Sequence, residues 1–186
     1  MKTLVIRFIT MNTVEDFFIR KVTRSIFSHV EFCLPDGTFL GSQYPHGVRL
    51  REANYCQPSL VYYYAIRVTD RQYKDIMDFA HSQLGKPYNT PTVFGYLLDH
   101  NWTNPTAWDC SQFITACLMK GGLKVLNVLI GCTHKITPET LHLSPIFIGC
   151  KLEGNPYPVS SMRHTEKTKF ISSKTLPVIF QRLTKF

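Results

Sequence analysis

Trp108-Asp109-Cys110-Ser111-Gln112-Phe113-Ile114-Thr115-Ala116-Cys117 decides the reading of this chain. The segment before it, from Asn101, is polar and turn-prone, whereas Phe113, Ile114 and Cys117 follow Cys110 at the spacing of one helical face. Cys110 is therefore predicted in the first turn of a helix, with Asp109 able to cap it. Unpaired backbone N–H groups and the positive end of the helix dipole favour a thiolate there, which nucleophilic catalysis needs. Cys110 is the candidate nucleophile. Cys117, two turns deeper, is expected to be a packing residue, and Asp109, whose charge opposes a thiolate, is given a structural role.

Working outward, the same helix should stop near Gly121-Gly122, and Thr137-Pro138-Glu139 reads as a further helix start with proline at its first position. Upstream, Thr69 or Asp70 caps a helix through about Leu84, with Tyr73, Ile76, Met77, Ala80 and Leu84 on its buried side. Leu60 to Val68 and Gly47 to Arg51 read as strands. Phe27 to Leu34 and Thr38 to Gln43 flank Pro35-Asp36-Gly37, a hairpin signal. A three-residue loop sets Cys33 opposite Phe39, Glu31 opposite Gly41 and His29 opposite Gln43, and a two-residue loop shifts this by one. Met1 to Thr10 reads as a strand buried on both faces. Asn12 or Thr13 then caps a helix with Phe17, Phe18, Val22 and Ile26 on one side. The fold class is α+β, an antiparallel sheet or partial barrel packed against the cysteine-bearing helix. Ser144 to Phe186 is the least regular part, wrapping the core as strands or hanging partly loose.

A thiolate needs a partner to take its proton and later to protonate a leaving group. Of seven histidines, His29 begins a β-run two residues before an acid, so a sheet would hold it rigidly. The other six fall in loops or on helix surfaces. Either Glu31 or Gln43 can orient the His29 ring: the hairpin register favours Gln43, charge favours Glu31. Tyr88, placed just after a rigid proline, is a candidate oxyanion donor, and Ser28 beside the histidine is grouped with it as a substrate contact.

The totals narrow the classes. A chain of 186 residues with 44% hydrophobic content suits one well-filled core. The charge of +8 is uneven, +3 over residues 1–150 and +5 over 151–186. A basic tail suits anionic cell-wall polymers or lipid surfaces, whereas no zinc-finger spacing, RNA-binding aromatic signature or dense Lys/Arg run supports specific nucleic-acid binding. The six cysteines form no C-x-x-C pair or zinc spacing, and the five other than Cys110 are expected to be packing residues. No metal or cofactor is implied. Neither a signal peptide nor an apolar run of roughly 20 residues is seen, so synthesis in a reducing cytoplasm with free thiols is expected.

Gly85-Lys86-Pro87-Tyr88 followed by Asp109-Cys110-Ser111 resembles the NlpC-type papain-like cysteine hydrolases, with their G-x-P-Y segment ahead of a D-C-S nucleophile. In ordinary members the histidine follows the cysteine. Here Phe27-Ser28-His29-Val30, with Pro35-Asp36-Gly37 and Gly47-Val48, precedes it, which looks like the circularly permuted branch that includes the lecithin:retinol acyltransferase-like proteins and many bacterial and phage proteins. The resemblance covers residues 1–145 and leaves 146–186 as a basic extension packed on or wrapping that domain. It implies Cys110 as nucleophile, His29 as base and acid, Tyr88 near the nucleophile, and a third polar residue around Ser42-Gln43. The implied activity is cleavage of an amide, with peptidoglycan peptides as candidate substrates. A lipid-directed acyltransferase or thioesterase on the same site, and a non-catalytic protein keeping the fold, are the alternatives.

Overall fold

In the computed structural model, which describes residues 1–90, 106–126 and 136–157, the apolar N-terminal run forms β1 (Lys2–Thr10) at the middle of the sheet. Leu4 to Thr10 are all buried, because β1 is paired along both edges and covered on both faces. β2 (His29–Cys33) flanks it on one side, Ile9 facing His29 and Arg7 facing Glu31. β5 (Leu60–Val68) flanks it on the other. With β3 (Phe39–Gln43), β4 (Gly47–Arg51) and the short β6 (Lys151–Leu152), the order is β4-β3-β2-β1-β5-β6, every pair antiparallel. The protein is α+β.

The three-residue hairpin loop forms. Cys33 faces Phe39, the Leu34 N–H donates to the Thr38 carbonyl at 2.9 Å, and Gly37 takes a φ of 86°. Continuing this register puts Glu31 beside Gly41, where an added Cβ would lie 2.7 Å from the Glu31 Cβ. Only glycine leaves room for that carboxylate-bearing side chain.

One face of the sheet carries the larger core, Leu4, Ile6, Phe8, Val30 and Phe32, against α2 (Asp70–Ser82) and α3 (Cys110–Lys120). The other face holds Val5, Cys33, Phe39, Ala65 and Leu152. Thr69 caps α2 with a reciprocal capping box to Gln72, and Ile76, Met77 and Ala80 are buried as the spacing predicts. Leu84 is 40% exposed rather than buried, because α2 ends at Ser82 and the chain turns outward at Gln83. Thr137 caps α4 (Pro138–His142), with proline in its first turn. Residues 145–147 form one 3-10 turn before β6, so the start of the segment assigned to the extension completes the sheet; residues 158–186 lie outside the described residues. No helix among the described residues is long and apolar enough to cross a membrane.

α1 (Val14–Thr23), capped by Thr13, departs from the usual pattern. Phe17 and Phe18 face solvent, and the one buried residue of the helix is Asp16.

Candidate active site

Three separated motifs knit around α3. The Trp108 N–H donates to the Pro87 carbonyl and the Asn89 N–H to the Trp108 carbonyl, both at 3.1 Å, a parallel bridge between the Gly-Lys-Pro-Tyr and Asp-Cys-Ser segments. The Ser42 hydroxyl donates to the same Trp108 carbonyl at 2.6 Å. Val48 N–H donates to the Lys86 carbonyl, and Gly85 N–H to the Val48 carbonyl, each at 2.9 Å. Gly47 is obligatory: its φ is 76°, and a Cβ would stand 2.0 Å from the Lys86 oxygen. These bonds fix where α3 begins. Asp109 caps it, accepting from the Gln112 N–H at 2.8 Å, and Cys110 is its first residue.

His29 is held from one side. Its Nε2 lies 3.4 Å from Glu31 Oε2, both side chains almost wholly buried. Glu31 is the hub of a polar cage on the sheet face opposite α3. Arg7 Nε donates to it at 2.7 Å and the Tyr55 hydroxyl at 2.8 Å, while Arg51 stands 3.6 Å away. Burial alone would raise the Glu31 pKa; the hydrogen bond to His29 and the charge of Arg7 outweigh it and bring the carboxyl down to about 2. A buried carboxylate with so many donors is ionised and immobile. Arg7 also packs against the Phe39 ring, 3.4 Å from its centroid.

A cleft of about 630 Å³ opens at the end of β1, β2 and β3. Ser28, His29, Gln43 and Tyr88, four of the six predicted site residues, line it with Tyr44, Tyr55 and Cys56; Thr13, Glu15, Asp16 and Ile19 of the α1 segment form a wall. Glu31 lies behind His29. Gln43 borders the cleft, and the carboxylate that charge favoured is the ring's hydrogen-bond partner.

Cys110 sits behind the cleft wall. It is 4% exposed and lies against the Val30 backbone, one residue from His29, and close to Tyr88. No hydrogen bond joins its sulfur to the His29 ring. Against the expected thiolate, burial and then the neighbouring Asp109 charge push the thiol up, and backbone N–H groups offset only part of this. The Tyr88 phenol is raised as well, by burial and by Cys110, Asp109 and Asp16. Burial thus favours the Cys110 thiol over the thiolate.

Sequence reasoning passed over Arg7, Arg51, Tyr55 and Asp16, and took Cys56 for a packing residue although it lines the cleft. One signal was available: Arg7 interrupts an apolar strand and Glu31 another, and solitary charges in buried strands require each other. His142 also differs from its surface assignment. Its Nε2 lies 2.6 Å from the Tyr64 hydroxyl, and its ring packs on Phe8 and Phe27. Cys132 lies outside the described residues. Among the described residues no three His, Cys, Asp or Glu side chains form a metal-ligating group. The chain matches no protein-family model, and no curated protein is significantly similar to it.

Proposed function

We propose that this cleft belongs to a cysteine hydrolase of permuted papain-like architecture that cleaves an amide bond through a Cys110 thioester. The observation that carries the reading is the His29–Glu31 pair: an imidazole at the cleft, its Nε2 against an immobile carboxylate, on the strand that packs against the first residue of the cysteine helix. With a proton on Nε2 shared with Glu31, Nδ1 is left as the basic nitrogen.

The chemistry then runs through one proton. The Cys110 thiol gives its proton to His29 as the sulfur attacks the carbonyl carbon, and the oxyanion is met by backbone N–H groups at the start of α3 and by the Tyr88 hydroxyl. His29 returns the proton to the departing amine, leaving an acyl thioester. Water attacks that thioester while His29 takes its proton, and the thiol is regenerated. No hydrogen bond joins the resting sulfur to His29, so this chemistry requires that the two come together when substrate enters.

A peptide carrying a vinyl sulfone tests this directly. The expected result is one adduct at Cys110 by mass spectrometry, formed at least about a hundredfold more slowly in His29→Ala. Preferential adducts at Cys56 or Cys150, or a rate indifferent to His29, would overturn the reading and leave a non-catalytic fold.

A further inference from the structure

α1 is built inside out. Along Val14-Glu15-Asp16-Phe17-Phe18-Ile19-Arg20-Lys21-Val22-Thr23 the acid Asp16 turns inward and is buried, while Val14, Phe17 and Phe18, one helical stripe, stand 69%, 50% and 61% exposed. Ile26, just past the helix, is a further exposed apolar side chain, at 51%. The ends of the segment are secured without using these side chains. Thr13 caps the N-terminus, and beyond the C-terminus the Ser25 hydroxyl and Ile26 N–H donate to Glu139 of α4 at 3.2 and 3.0 Å. The stripe is therefore presented on a helix that is capped at its start and tied to α4 just past its end.

The charges around it have one sign. Lys21 and Arg24 are exposed and Arg20 is half-buried, against the single exposed acid Glu15, which borders the cleft. Lys21 Nζ lies 5.8 Å from the Phe17 ring centre, and the Phe17 and Phe18 rings meet edge to face. Aromatic side chains rimmed by cations on a projecting helix are the pattern of interfacial binding to anionic lipid. The patch amounts to roughly 400 Å², about half of the 800 Å² per partner that a stable protein interface needs, but enough to seat side chains among headgroups.

We propose that α1 is a peripheral membrane-docking element that inserts Val14, Phe17, Phe18 and Ile26 into an anionic lipid surface, with Lys21 and Arg24 on the headgroups. The inner side of the same helix walls the cleft, so docking holds the cleft close to the bilayer surface. The docking does not depend on the chemistry inside it.

Flotation of the full chain with phosphatidylcholine vesicles, with and without phosphatidylserine, tests the proposal. Wild type should float with the phosphatidylserine vesicles and release at high salt. Phe17→Ser with Phe18→Ser should weaken binding about a hundredfold, and Lys21→Glu with Arg24→Glu about tenfold or more. A Phe17→Trp chain gives a readout independent of these losses: the emission of the introduced indole should shift to the blue on anionic vesicles and be quenched by brominated lipid. Failure of wild type to float, unaltered flotation of both double variants, or indole emission in the Phe17→Trp chain that brominated lipid leaves unquenched would overturn the proposal. So would self-association abolished by the Phe17/Phe18 change without vesicle binding, which would assign the patch to a second copy.

Discussion

Two histidines of this protein each stand beside a carboxylate, and their surroundings separate them. His29 starts a central strand, its Nε2 3.4 Å from the fully buried Glu31, and its ring borders an open cleft. His142 ends the short helix α4, with Nδ1 4.0 Å from the partly exposed Glu139, Nε2 against the Tyr64 hydroxyl, and four aromatic rings around it. One imidazole, itself almost wholly buried, has a fixed anion beside it and lines the cleft. The other, though more exposed, packs on rings, lines no part of the cleft wall and, among the described residues, bonds through Nε2 to Tyr64 alone. A histidine–carboxylate pair is thus a weak sign of chemistry until one knows whether the ring lines a cleft.

The contrast breaks most sharply in kinetics. His29→Ala should slow modification of Cys110 by the peptide vinyl sulfone by at least about a hundredfold, whereas His142→Ala should leave that rate within about twofold and cost about 2 kcal/mol of stability through lost packing and the lost Tyr64 bond. Equal effects on rate would erase the distinction.

Next in size is Glu31→Gln. It leaves Arg7 and Arg51 buried around a neutral side chain, so denaturant unfolding should show a loss of about 3 kcal/mol. Glu139→Gln, at a half-exposed position, should cost well under that.

Acid titration of stability sharpens the comparison. Glu31 has a folded pKa depressed from 4.5 to about 2, so its contribution is present above pH 4.5 and is lost as pH falls towards 2. That limb is on the order of 3 kcal/mol and should vanish in Glu31→Gln. His142 is depressed below 6.5, by burial first and then by Lys151, with Glu139 opposing. Its neutral form is the folded one, so stability should begin to fall as pH drops below 6.5, and that limb should vanish in His142→Ala. Thermal melts across pH resolve the two.

The smallest effect is Tyr64→Phe, expected to cost about 1 kcal/mol by removing one hydrogen bond, and to leave the cleft untouched.

What could be read in the sequence was what local chemistry dictates. Pro35-Asp36-Gly37 set the hairpin register through one positive φ, Thr69 and Thr137 announced helix starts through their hydroxyls, and Asp109 before an apolar stripe located the start of α3. Among what escaped, two features did so for separate reasons. The state of Cys110 depends on burial, a long-range quantity, and desolvation outweighed the local helix-end effect that favoured a thiolate. The exposure of Phe17 and Phe18 contradicts the rule that apolar stripes face inward, a rule that holds only where a core is there to receive them. Between Glu31 and Gln43 the register holds as far as Cys33 opposite Phe39, and the imidazole meets the anion caged by Arg7 and Tyr55, the partner that charge favoured.

Arg7 has one more consequence, outside the folded state. In Leu4-Val5-Ile6-Arg7-Phe8-Ile9 it is the only charge in a run of strong strand formers, and the run's two sheet neighbours both come later in the chain. Until they arrive, this segment has two bare edges and the composition of an aggregating hexapeptide. The guanidinium that later anchors Glu31 is also placed where a gatekeeper charge opposes self-pairing of such a segment in the unfolded chain. Arg7→Leu should therefore shift refolding yield towards inclusion bodies well beyond what its loss of folded stability accounts for.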